Sequence, residues 1–175
     1  MKKIFLIFLC FCGILVAGCG YSTRSALPSS WRTIYVTPFA NKIDYAAENK
    51  RNLYLPLLEV NVRNGIINRF QFDGNLKIAK EPDADLVLAG ELVDYTREVL
   101  RYTDNNDPLE YRIQIVTNLK LNKGKDGPVV WQENGFVGEA TYFVSGPQIK
   151  SESAAVDDAV TDLSRRIVER TVENW

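Results

Sequence analysis

Hydrophobic and polar positions change rhythm several times along the chain. Ile4 to Ala17 is apolar throughout except for Gly13, and Lys2 and Lys3 precede it. Fourteen residues are too few to cross a bilayer comfortably and suit the core of a signal peptide. A basic start and a small-residue end distinguish this run from a buried helix. Tyr21 to Arg32 has no period and mixes Ser, Thr, Pro and Arg, as a tether does. Thr33 to Thr37 is β-branched and aromatic and stops at Pro38, which predicts a strand. The polar stretch Asn41 to Asn52 predicts a loop.

Leu58, Val62, Ile66 and Phe70 then recur every fourth residue, one face of a helix starting close to Pro56. Gly65 in its interior suggests close packing against a sheet. Asp73-Gly74 marks a turn, and Leu76 to Ile78 a short strand. Asp85 to Leu100 predicts a long strand whose first half, Leu86 to Gly90, is apolar on both faces and therefore central. Thr103 to Pro108 is a loop. Tyr111, Ile113, Ile115, Thr117, Leu119 and Leu121 alternate with polar residues or Val116, giving a strand with one buried face. Lys123 to Gly127 makes a hairpin turn into Val129 to Tyr142, where Gly135 and Gly138 predict bulges or close approaches.

After a polar connection, Val156, Val160, Leu163 and Ile167 define a second helix, acidic near its start and basic near its end, as the helix dipole favours. Trp175 is expected to pack on the sheet. The order β-α-β-β-β-β-α predicts an α+β two-layer sandwich. Its sheet would be mostly antiparallel and four- to five-stranded, with two helices on one face. No internal repeat or second linker interrupts it, so one domain is expected over residues 33–175.

Cysteine usage sharpens the N-terminus. Val16-Ala17-Gly18-Cys19 resembles a bacterial lipobox, which implies removal of residues 1–18 and acylation of Cys19. Residues 19–32 are then the lipidated cysteine and its tether. Acyl chains contribute about 0.8 kcal/mol per buried CH₂, so two or three hold a protein at a membrane firmly. Gly20, where an inner-membrane lipoprotein would carry Asp, is similar to outer-membrane lipoproteins. Cys10 and Cys12 leave with the signal, so the 157-residue mature chain has neither free thiol nor disulfide.

Charge and chemistry narrow the function. The chain has 21 basic and 22 acidic residues and no His. Loss of Lys2 and Lys3 leaves a net charge of −3, so no basic bulk exists for nucleic acid. Without His, imidazole-dependent serine and cysteine chemistry and most zinc sites are excluded. No glycine loop has phosphate-cradling spacing. Ser145, Ser151 or Ser153 with Lys150 is the available Ser-Lys combination, but loop residues of these types ordinarily cap helices or face solvent. Asp104, Asp107 and Glu110 lack an EF-hand's spacing and glycine, and Asp157-Asp158 are adjacent on a helix, so neither makes a site. No cofactor or metal is expected, and the chain is read as a binding or structural protein rather than an enzyme. Arg97, Arg101, Lys123, Lys125 and Lys150 form the candidate basic cluster, suited to phosphate groups.

Four stretches together resemble the LptE family of lipopolysaccharide-assembly lipoproteins. They are Cys19-Gly20-Tyr21, Ile34 to Phe39, Leu100-Arg101 through Tyr111-Arg112-Ile113, and Tyr142 to Gly146 with the chain's ending. The resemblance implies a sheet carrying two helices and a lipid-anchored protein on the periplasmic side of the outer membrane. Its partners would be lipopolysaccharide and an LptD-like β-barrel, which it plugs and helps assemble. Palmitate would be among the lipids on Cys19, and Arg101 and Lys150 match the family's lipopolysaccharide-contacting positions. The alternatives from other classes are an envelope lipoprotein that binds a partner without lipopolysaccharide affinity, and a periplasmic hydrolase. A cleft of convergent, pKa-shifted groups would mark the hydrolase.

Overall fold

The structure, a computed structural model, describes residues 27–46 and 54–173. The expected signal peptide, Cys19 and Trp175 lie outside them. In chain order the elements are β1 (Thr33–Val36), β2 (Ala40–Asn41), α1 (Leu58–Asp73), β3 (Lys77–Ile78), a 3₁₀ turn (Glu81–Asp83), β4 (Leu86–Tyr102), β5 (Pro108–Lys123), β6 (Val129–Phe143) and α2 (Glu152–Val172).

Six strands form one mixed sheet in the order β3-β1-β4-β5-β6, with β2 also on β4. This corrects the mostly antiparallel, four- to five-stranded expectation. β1 pairs parallel with both β3 and β4, and β2 pairs parallel with β4. The cause is the helix between β1 and β3: a crossover carries the chain back to the same end, so the two strands run parallel. β4, β5 and β6 are an antiparallel meander joined by tight turns.

The edge of β4 is shared because β1 and β2 are one line interrupted at Thr37-Pro38-Phe39. Proline lacks the donor a ladder needs. Phe39 instead folds over Gly90 so closely that an added Cβ there would sit 2.1 Å from its Cζ.

Both helices lie on one side of the sheet. α1 packs on β1, β3 and α2, and α2 packs on β6 and β5. Leu58, Val62, Ile66 and Phe70 of α1 are buried, as their spacing predicts, against Ile34, Leu86, Leu88 and Leu121 of the same core. Each such side chain contributes roughly 1.5–3 kcal/mol by leaving water. Gly65 faces α2, not the sheet: an added Cβ would lie 2.8 Å from Ser164 Oγ and Val160 Cγ1. Gly138 is the close approach between sheet and helix, where a Cβ would meet Leu163 Cβ at 2.3 Å. Gly135, at φ 70°, sits in the bulge where β5–β6 register shifts between Thr117 and Leu119, and its N–H donates to Asn118 Oδ1 at 3.0 Å.

The described residues just before β1 are held against the domain rather than hanging from it. Leu27 and Trp31 pack on the core. Asp85 accepts hydrogen bonds from Arg32 N, Thr33 N and Thr33 Oγ1 at 2.9, 3.0 and 2.8 Å.

Candidate functional site

The candidate basic cluster divides between the two ends of the meander. Lys123 and Lys125 belong to the β5–β6 hairpin, where Lys125 pairs with Glu81 at 3.3 Å. Arg97, Arg101 and Lys150 gather at the far end, around the β4–β5 turn and the return of β6 toward α2. That split is set by topology, since antiparallel neighbours put alternate turns at opposite ends.

At the far end Phe143 is shared. Arg101 lies over its ring at 5.9 Å, and the Lys150 backbone N–H donates to its carbonyl at 2.9 Å. The two cations stand on opposite sides of the sheet. Phe143 and Glu110 are register partners on the helix-free face, and Arg101 forms an ion pair with Glu110 there, Nε to Oε2 at 2.9 Å. Lys150 faces the helix side and pairs with Asp158 of α2. Glu110 is nearly buried, with 9% of its side chain exposed, whereas Arg101 is 65% exposed.

Lys150 borders a depression of about 470 Å³ lined by Arg97, Tyr111, Tyr142, Val144, Ile149 and Glu152. Its wall is a tyrosine–carboxylate–arginine network. Glu152 opens α2, with Ser151 as N-cap accepting from Ala154 N at 3.2 Å. Glu152 accepts from Tyr95 Oη at 3.2 Å, Arg97 Nη1 at 2.5 Å and Tyr142 Oη at 3.5 Å. Arg97 also lies 5.2 Å over the Tyr111 ring, which stacks on Tyr142 at 5.6 Å. Burial raises the Tyr95 hydroxyl pKa well above the ordinary phenol range, and Glu152's negative charge adds to it. Burial and then Glu152 raise Tyr142 too. For Arg97 burial works against the cation, but the bond to Glu152 outweighs it and its pKa is raised.

These groups satisfy one another, so the network positions α2 and shapes the depression. Of the Ser-Lys candidates, Ser151 is engaged as the α2 cap and Lys150 by Asp158. Among the described residues no three His, Cys, Asp or Glu side chains converge to hold a metal. Sequence reasoning missed Tyr95, Tyr142 and Glu152. The available signal was Tyr95 and Arg97 two apart on one strand face, with an acid directly after the Ser151 cap.

A family model described as LptE, lipopolysaccharide-assembly, matches residues 31–171. No curated protein matches the chain. The hypothetical protein CT253 of Chlamydia trachomatis superposes with a TM-score of 0.52 at 15% identity, over 81% of this chain and 95% of that one. Protein XCC0632 of Xanthomonas campestris gives 0.51 at 16%, over 83% and 86%. These two structures share the fold.

Proposed function

The chain belongs to the LptE family of lipopolysaccharide-assembly proteins, and we propose that it is an outer-membrane lipoprotein that plugs an LptD-like β-barrel. In this reading Cys19 carries the acyl chains on the periplasmic side. The folded domain supports assembly of the barrel, and Arg101 and Lys150 contact lipopolysaccharide during its transport to the surface. The protein acts by binding, not by catalysis. The family match across the whole described fold carries the proposal. The two exposed cations at one end of the meander supply its chemistry.

A plug in a large barrel needs a polar, rigid exterior, because such lumens are polar. Lys150 and Asp158 form an exposed ion pair, which contributes only about 0–1 kcal/mol, so a phosphate can compete for Lys150, whereas at Arg101 a phosphate would join the nearly buried Glu110 and not displace it. Arg101 meets Glu110 through Nε at 2.9 Å, and a guanidinium carries five N–H donors, so it can also take a second oxyanion. Affinity purification of the full chain from detergent-solubilised outer membranes is expected to recover a large β-barrel protein. Recovery of the lipoprotein alone across several mild detergents overturns the proposal.

A further inference from the structure

β6 is the last strand of the sheet, and its outward backbone groups are the natural place for another strand to add. α2 runs along this edge and presents Asp162, Arg166 and Arg170, one residue per turn on a single row. Arg166 Nη1 donates to the Val137 carbonyl at 2.6 Å. The Glu139 N–H donates to Asp162 Oδ2 at 3.1 Å. Arg170 Nε reaches Glu133 at 3.4 Å and lies 5.3 Å over the Trp131 ring, while Arg166 lies 5.7 Å over Phe136. Farther along, the returning backbone covers the edge at Phe143 through the Lys150 N–H. An acceptor for one strand N–H and a donor for the next outward carbonyl are what a neighbouring strand would supply.

We propose that the Asp162–Arg166–Arg170 row guards the β6 edge and keeps two copies of this chain from pairing through it. The guard works because side chains occupy the ladder groups at Val137 and Glu139. Asp162 is held in place by Arg165 Nη2, which donates to it at 2.6 Å, and lies 3.8 Å from Arg166. The occupant excluded is a second copy, since two unguarded β6 edges offer each other the same unsatisfied donors and acceptors. This inference is independent of the proposed barrel partner.

The test uses the full chain in detergent micelles, with mass measured by light scattering during size-exclusion chromatography. Asp162→Ala combined with Arg166→Ala is expected to double the protein mass as concentration rises, with the wild type and the exposed Asp157→Ala control unchanged. Adding Thr141→Pro, which removes an outward N–H from the same edge, is expected to restore the single-copy mass. Far-ultraviolet circular dichroism establishes that each variant is folded. A folded double variant that keeps the wild-type mass overturns the guard. Doubling that survives Thr141→Pro overturns pairing through β6.

Discussion

Asp85 shows how one side chain fixes an entry point. It stands just before β4, yet its carboxylate collects the N–H groups of Arg32 and Thr33 and the Thr33 hydroxyl, and so sets where β1 begins beside its parallel partner. These bonds favour the charged form. The N–H donated by Arg32 has the largest effect and the Thr33 hydroxyl the next, and the Asp85 pKa falls below its ordinary 3.8. A carboxylate lowered on folding contributes stability above its unfolded pKa and loses it as pH falls through the folded one. Asp85→Asn is therefore expected to be less stable than wild type at neutral pH. The gap in urea midpoint should narrow steadily below about pH 4. A gap that does not change with pH would assign the effect to geometry alone. No periodicity could have shown this residue's task, because its partners are 52 and 53 residues away.

Among the elements, α2 is tied to the sheet at its first residue by charge and at its middle by close packing at Gly138. Glu152 gathers a guanidinium from β4 and hydroxyls from β4 and β6, so removing it loosens three groups together. Glu152→Ala is expected to lower the unfolding free energy by about 1–3 kcal/mol, and Glu152→Gln by less because it still accepts from the tyrosines. Urea titration of both variants measures the difference. Equal losses would mean that the charge of Glu152, and not its hydrogen bonds to the tyrosines, carries the stabilisation. Both helices and the three long strands were legible in the sequence, since Leu58 to Phe70 and Tyr111 to Leu121 carry their periods openly. The parallel pairing of β1 with β4 was not. A period says which face is buried but not which strand lies alongside, and the two-residue β2 is too short to have a period. The same limit governed the site. Arg101 and Lys150 stood out as charges, while the Tyr95–Glu152–Tyr142 network arises only when β4, β6 and α2 meet.

At the scale of the molecule, the expected mature chain carries a net charge of −3. Any lipopolysaccharide phosphate thus meets a repulsive whole and two attractive positions. Mobile ions screen both over about 8 Å at physiological salt. The proposed short-range contact with Arg101 and Lys150 would survive that screening better than the diffuse repulsion does, but exchanging their counterions would still cost affinity as salt rises. Two cations limit the slope of log affinity against log salt to about two. Arg101→Asp would set a carboxylate against the buried Glu110, so Arg101→Gln with Lys150→Gln is the informative pair. The double variant is expected to bind lipopolysaccharide more weakly at low salt and to lose most of the salt dependence, while its thermal midpoint stays near that of the matched single variants. Fluorescence titration with labelled lipopolysaccharide across a salt series measures both quantities. An undiminished slope in the double variant would move the phosphate contact away from this end of the meander.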